Sequence, residues 1–154
     1  MSTFIPAIAL EEEISSGTVF FELVVCFVVS KTLDGVGNTK EIDEVNNDEM
    51  ILDIGPKTIT SIKDIIDETN TILWNGPAGY FENPNFANGT KKILEIIDEK
   101  RAKDKIYAVA GGGETVAVIN KFKKLESFNF VSTAGGAFLE YLEGKELPGI
   151  KALN

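Results

Sequence analysis

The segment KIYAVAGGGETVAVINKF, residues 105–122, contains in order the patterns of a strand, a tight turn and a helix. The apolar run from Ile106 to Ala110 predicts a buried strand, and the spacing of Val116, Ile119 and Phe122 predicts the helix. Between the two lie three consecutive glycines: Gly111, Gly112 and Gly113. This order is typical of α/β proteins, in which a strand leads directly into a helix.

The glycine turn has the chemistry of a phosphate site. Because glycines carry no Cβ, their backbone N–H groups can turn toward one point at the helix N-terminus. Amide donors and the positive end of the helix dipole both favour phosphate there. Glu114 adds a carboxylate that can hold Mg²⁺ against phosphate oxygens, and Thr115 adds a hydroxyl donor. The alternative is a purely structural turn, and these two residues favour a nucleotide site.

Alternating strand and helix patterns continue along the chain. Strands are predicted at about 19–29, 49–53, 71–75, 105–110 and 128–132, and most lack polar alternation, as in a parallel sheet buried on both faces. Helices are predicted from Pro56 onward and at about 86–100, 114–123 and 137–143. We therefore expect a doubly wound, Rossmann-like three-layer α/β domain of about five strands, with ligands at the carboxyl ends of the strands.

Two segments do not follow this alternation. Residues 30–48 have no hydrophobic period and many turn residues, which predicts a surface loop. Residues 1–16 suggest a helical lead-in.

A second glycine turn echoes the first. The segment FNFVSTAGGAFL, residues 128–139, again runs from a strand pattern through Gly135 and Gly136 into a helix pattern. Two such turns on consecutive parallel strands would open on the same edge of the sheet. One turn can then hold a nucleotide and the other a transferring group, although a Gly-Gly pair before a helix is also a common structural turn.

The composition excludes several classes of site. With 15 basic and 24 acidic residues the net charge is −9, which argues against nucleic acid as a partner. The sequence has no histidine, so catalytic triads and zinc sites built on histidine are excluded. The single cysteine, Cys26, excludes an internal disulfide. Apolar runs are too short for a bilayer span, so we expect a soluble, intracellular chain without membrane partners.

Several unusual phrases occur in the order in which they are found in phosphoglycerate kinases. They are DIGPKT (53–58), WNGPAGYFE (74–82), F-x-x-G-T (86–90), GGGET (111–115), STAGGA (132–137) and LEGKELPGI (142–150). The chain resembles the C-terminal, nucleotide-binding half of that family. The resemblance covers about residues 17–154, as a partial domain, and leaves residues 1–16 unplaced.

The resemblance implies a cytoplasmic, monomeric, two-domain enzyme of glycolysis. The family transfers a phosphoryl group between 1,3-bisphosphoglycerate and ADP, with Mg²⁺ as cofactor. The half that binds 3-phosphoglycerate with arginines and histidine has no counterpart here, which fits the acidic balance and the missing histidines. The first part of the nucleotide domain, with its phosphate-binding lysines, has none either; Lys31 and Lys40 lie in a different context.

The resemblance also assigns site residues by position. It implies that Glu82 binds the nucleotide ribose and that Asn75 lies near the phosphates. Gly79 and Tyr80 are assigned to the adenine side of the nucleotide. Leu23 is assigned to a turn that contacts the nucleotide. The phosphate and metal loop is assigned to Gly111, Gly112, Gly113, Glu114 and Thr115, with Glu114 as the metal ligand. The residues whose amides stabilise the transferring phosphoryl group are Gly135 and Gly136.

Three departures from the family pattern bear on catalysis. Glu114 stands where the family commonly has aspartate, and its extra methylene moves the carboxylate out by roughly 1 Å, a shift that can cost ~10²-fold in rate. Ala134 replaces the first glycine of the second turn, where a positive φ would be costly. Val24 and Cys26 replace a proline and an aspartate.

We therefore expect weak, magnesium-assisted nucleotide binding and no phosphoryl transfer by this chain alone. The alternative is a non-catalytic nucleotide- or partner-binding module. A dinucleotide-binding dehydrogenase domain is disfavoured because no G-x-G-x-x-G follows any strand.

Overall fold

The computed structural model describes the backbone of residues 7–11 and the whole of residues 25–153. Within these residues the strands are β1 (Ala7–Glu11), β2 (Phe27–Ser30), β3 (Asn38–Lys40), β4 (Met50–Ile54), β5 (Thr71–Asn75), β6 (Tyr107–Gly111) and β7 (Phe130–Ser132). The α-helices are α1 (Pro56–Glu68), α2 (Asn88–Arg101), α3 (Gly113–Lys121), α4 (Gly136–Leu142) and α5 (Pro148–Lys151). The α/β class predicted from the sequence is confirmed.

The strands form two sheets rather than one. The larger sheet has the order β1-β5-β6-β7, in which β5, β6 and β7 are parallel and β1 is an antiparallel edge strand. The smaller sheet has the order β3-β2-β4 and is antiparallel throughout. The strand predicted at about 19–29 is found only at its end, since β2 begins at Phe27 and residues 19–24 lie outside the described residues. Strand β2 and the strand predicted at 49–53, which is β4, pair with each other and not with the parallel sheet. Apolar runs predict that a segment is a strand but do not specify its partner.

Two loop and helix predictions need correction. Residues 30–48 contain β3 and a short 3-10 helix, Ile42–Glu44, because the chain folds back on β2 as a hairpin. Residues 7–11 form a strand, and not a helix, because pairing with β5 outweighs the helix propensity of Ala, Leu and Glu. The rest of the predicted lead-in lies outside the described residues.

Helix α1 begins at Pro56, as predicted, because proline at the first helical position loses no hydrogen bond. Three of its isoleucines, Ile62, Ile65 and Ile66, are buried, and Ile66 is fully inaccessible. The helix packs against α2. Fully burying such a side chain is worth about 1.5–3 kcal/mol. Helix packing of this kind stabilises the layer that covers the parallel sheet.

The parallel sheet has one fully covered face. Strands β5, β6 and β7 follow one another in chain order within the sheet, so crossovers of the usual right-handed kind place α2 and α3 on the same side. On that side Trp74 is fully buried and stacks on Phe128, with ring centroids 6.0 Å apart. On the opposite face, by register, Tyr107 and Phe130 are each 52% exposed. Among the described residues, this second face is therefore only partly covered.

Within the described part of the chain, no helix has the length and apolar character that a bilayer span requires.

Candidate functional site

The carboxyl ends of the three parallel strands lie side by side. In the pairing register Asn75 is opposite Gly111, and Gly111 is opposite Ser132. The first glycine turn follows β6 and the second follows β7, so both turns open on the same edge of the sheet. This is the edge at which open α/β sheets bind ligands, as we expected from the sequence.

Gly112 joins the two glycine turns. Its N–H donates to the carbonyl of Ser132 at 3.0 Å and to that of Ala134 at 3.1 Å. Its φ of +94° is one that residues with a Cβ rarely adopt, and a Cβ here would lie 2.7 Å from Oδ1 of Asn75. Glycine is therefore required at this position. Gly112 was expected to direct its amide toward a phosphate, whereas this N–H is already bound to carbonyls of the second turn.

The amides available to an anion belong to the first turn of α3. Helix geometry leaves the N–H groups of Gly113, Glu114 and Thr115 without intrahelical acceptors, and no side chain of the described residues caps this helix end. Gly113 and Glu114 are exposed, and a Cβ on Gly113 would meet open space within 4 Å. The start of α3 is thus open toward solvent and carries the positive end of the helix dipole.

Thr115 is a supporting residue in this geometry. Its side chain is fully buried, and its hydroxyl accepts a hydrogen bond of 2.7 Å from the N–H of Gly76. Gly76 has a φ of +101° and follows the last residue of β5. The bond fixes the start of α3 against the end of β5. A direct contact between Thr115 and nucleotide stays a prediction.

The second turn is also well supported. The carbonyl of Gly135 accepts bonds from the N–H groups of Phe138 and Leu139 at 3.1 and 3.2 Å, and α4 begins at Gly136. A Cβ on Gly136 would meet open space. Ala134 does not have a positive φ, so the replacement of glycine by alanine causes no backbone strain there.

The loop of residues 79–83 carries Glu82 at its surface. The N–H of Tyr80 donates to the carbonyl of Leu52 at 2.7 Å, which attaches the loop to β4. The Glu82 side chain is exposed and has no hydrogen-bond or ion-pair partner among the described residues. Tyr80 is 37% exposed. The carboxylate expected to bind ribose is therefore accessible.

Asp53 organises the centre of the domain. It is 2% exposed, and its carboxylate accepts the N–H of Gly89 at 2.8 Å, which caps the N-terminus of α2. Asp53 is therefore a buried partner of the α2 N-terminus. Burial raises the pKa of Asp53 to about 6, although backbone N–H donors oppose the shift.

The packing of Asp53 also explains Gly79. A Cβ on Gly79 or on Gly89 would lie 2.3 Å from Oδ1 of Asp53, so neither position has room for a side chain. Gly79 was expected on the adenine side of a nucleotide. That role stays a prediction beside its packing role.

One buried residue of the site was missed in the sequence. Thr90 is fully buried, and its hydroxyl accepts the N–H of Ala78 at 2.9 Å and that of Gly79 at 3.2 Å. The phrase F-x-x-G-T marked this threonine but gave it no function. It holds the segment that leads into the Glu82 loop.

A magnesium ion would find one protein carboxylate at the glycine turns. Within residues 25–153, no three His, Cys, Asp or Glu residues cluster as a metal cage. Mg²⁺ is usually held by one or two carboxylates together with substrate phosphates and water. The exposed Glu114 beside open amides fits that mode, with the nucleotide supplying the remaining oxygens.

The two early lysines lie in ion pairs. Lys31 pairs with Asp48 at 2.6 Å, and Lys40 pairs with Glu49 at 2.8 Å. Each ammonium group is thus already in contact with a carboxylate. Leu23, the remaining predicted contact, lies outside the described residues.

Comparison with known proteins places these features in one family. The family model described as phosphoglycerate kinase matches residues 7–145, and so begins within the segment left unplaced by the motifs. A curated phosphoglycerate kinase from Francisella philomiragia subsp. philomiragia is 50% identical over 120 residues, which are 78% of this chain and 30% of that protein.

Solved structures agree. Phosphoglycerate kinase from Coxiella burnetii superposes with a TM-score of 0.72 at 42% identity, covering 84% of this chain and 33% of that one. Phosphoglycerate kinase from Pyrococcus horikoshii superposes with a TM-score of 0.69 at 32% identity, covering 84% and 31%. The chain thus spans about a third or less of the length of the relatives it matches.

Proposed function

The chain belongs to the phosphoglycerate kinase family, and we propose that it is a nucleotide-binding portion of such a kinase, which takes ADP or ATP together with Mg²⁺. The observation that carries the proposal is the open N-terminus of α3 at the carboxyl edge of the parallel sheet. At that edge lie the amides of Gly113 and Glu114, which have no acceptor among residues 25–153, together with the exposed carboxylate of Glu114 and the neighbouring second turn. This combination suits a phosphate chain and its metal ion.

The residues would act by position and charge. The amides at the start of α3 would bind phosphate oxygens, and Glu114 would hold Mg²⁺, which neutralises phosphate charge. Glu82 would bind the ribose hydroxyls, and Asn75 would lie beside the phosphates. Gly135 and Gly136 would present amides to the transferring phosphoryl group. Phosphoryl transfer needs positioning and electrostatic stabilisation rather than covalent help from protein side chains.

Calorimetric titration of the chain with ADP tests the proposal. We expect weak binding that is tighter with Mg²⁺ than without it, because the amides remain while Lys31 and Lys40 are committed to ion pairs. Glu114→Gln should remove the Mg²⁺ dependence while leaving the melting temperature unchanged, since Glu114 is exposed. Tight binding that ignores Mg²⁺ would contradict the role given to Glu114.

A second candidate is a non-catalytic nucleotide- or partner-binding module. The paired state of Lys31 and Lys40 favours it, since no free lysine replaces the phosphate lysines of the family at these positions. A coupled assay with ATP and 3-phosphoglycerate separates the two. We expect no turnover by the chain alone, because the acceptor needs a cationic pocket and a closing second domain. Turnover of about 1 s⁻¹ or more would favour an autonomous kinase.

A further inference from the structure

The loop that carries Glu82 is anchored to the antiparallel sheet region at two points. The N–H of Tyr80 donates to the carbonyl of Leu52, and Nδ2 of Asn83 donates to the carbonyl of Leu33 at 2.7 Å. These bonds lie on either side of Glu82 in the chain. They fix the loop relative to the segment before α1, but not relative to the helix that begins with the glycine turn.

Lys121 supplies the connection to that helix. It is the last residue of α3, and its Nζ donates to the carbonyl of Phe81 at 2.7 Å. The same Nζ lies 5.3 Å from the centroid of the Phe81 ring, within the range of a cation–π contact. The Phe81 ring is itself packed against the hydrophobic core. Lys121 therefore holds both the backbone and the side chain of the residue immediately before Glu82.

Helix α3 thus connects the two halves of the candidate site. Its first turn presents the amides of Gly113 and Glu114, and its last residue, Lys121, holds the Glu82 loop. The nine residues of the helix span roughly 13 Å and behave as one stiff element. The separation between the amides and the Glu82 carboxylate therefore depends on Lys121 as well as on the bond from Gly76 to Thr115, which holds the chain six residues before Glu82.

We propose that Lys121 is a positioning residue for nucleotide binding, which holds Glu82 at the distance from the α3 amides that a nucleoside diphosphate requires. The proposal rests on the proposed function and deepens it. Lys121 acts through the Glu82 loop and not as a phosphate ligand, because its ammonium group is already bound to the carbonyl and ring of Phe81. A lysine at a helix C-terminus also complements the helix dipole, and the test separates the two roles.

The experiment compares two probes, ADP with Mg²⁺ and inorganic pyrophosphate with Mg²⁺, by calorimetry. Lys121→Met should weaken ADP binding about tenfold, because Glu82 would then lose its charge-assisted hydrogen bond to the ribose. Pyrophosphate has no ribose, so its binding should be unchanged. Lys121→Arg, which keeps a cationic donor, should restore most of the ADP affinity. Lys105→Met, at an exposed lysine outside the site, is the matched control and should bind both probes as the parent does.

A double-variant cycle makes the test specific for Glu82. In a Glu82→Gln background, Lys121→Met should cause little further loss of ADP affinity, because the interaction it positions is already gone. Additive losses, or equal losses for both probes, would overturn the proposal. Melting curves confirm that each variant is folded, and Lys121→Gln replaces Lys121→Met if the latter does not melt cooperatively.

The two proposals fail in different ways. A parent chain that binds neither probe contradicts the proposed function, and the role of Lys121 with it. A parent that binds ADP while Lys121→Met binds it equally well contradicts only the role of Lys121.

Discussion

The buried hydroxyl of Thr115 accepts a hydrogen bond of 2.7 Å from the backbone N–H of Gly76, and so joins the first turn of α3 to the end of β5. The two residues lie 39 positions apart in the chain. Both belong to phrases by which the sequence resembles its family. Their contact shows that the turn in one phrase supports the geometry of the other.

Replacing Thr115 with valine should destabilise the domain. Valine has the same shape but no acceptor, so the Gly76 N–H is left without its partner at a cost of about 1–3 kcal/mol. Thermal or urea unfolding measures the change, and Thr115→Ser, which keeps the hydroxyl, is the control. An unchanged stability in Thr115→Val would show that water or another group satisfies Gly76.

Two neighbouring glycines should respond differently to alanine. Gly113→Ala should leave the fold intact or stabilise it by about 0.4–1 kcal/mol, because the added methyl meets open space at a helical position. Gly112→Ala should be strongly destabilising, because φ is +94° and the methyl would lie 2.7 Å from Asn75 Oδ1. If phosphate binds at α3, Gly113→Ala weakens ADP binding without lowering the melting temperature. Equal stabilities for the two variants would contradict this.

Asp53 should make the stability of the domain decrease as pH rises, which is the opposite of the usual effect of a carboxylate. Its folded-state pKa is about 6, against an ordinary value of 3.8, so between these values the folded state binds more protons than the unfolded state. The free energy of unfolding should then fall as pH rises from about 4 to about 6, by up to about 3 kcal/mol from this group.

The comparison with Asp53→Asn isolates that contribution. Asparagine does not titrate, so the variant should lack the fall in unfolding free energy that Asp53 causes between pH 4 and 6. The contribution of the other carboxylates is common to both proteins and cancels in the difference between them. Carboxyl NMR titration measures the same quantity directly. A midpoint near 4 for Asp53 would show that the backbone donors, and not burial, control its ionisation.

Glu82→Ala should weaken ADP binding about tenfold to a hundredfold, because a charge-assisted hydrogen bond is worth about 1.5–3 kcal/mol. The melting temperature should not change, since Glu82 is exposed and unpartnered within residues 25–153. Glu126→Ala removes another exposed carboxylate away from the glycine turns and controls for net charge. If Glu82→Ala binds ADP normally and melts earlier, then Glu82 is structural.

Local patterns predicted the helices and the glycine turns but not the long-range contacts. Pro56 and the isoleucines of α1 specify their helix from neighbouring positions, and the glycines after β6 specify their turn in the same way. Other contacts join residues that are far apart in the chain, such as the pairing of β1 with β5 and the bond from Gly89 to Asp53. A local sequence pattern cannot predict such contacts. The site edge was therefore predictable, whereas the contacts that hold it together were not.

The shared amide of Gly112 offers an observable for the junction between the two turns. Because that one N–H is bound to the carbonyls of Ser132, the last residue of β7, and of Ala134, it can exchange with deuterium only when the turns separate. Its exchange rate therefore measures how often the two glycine turns separate in the chain without ligand. Slower exchange on adding nucleotide would mean that a ligand bound at the start of α3 also reduces the opening of the second glycine turn, before α4.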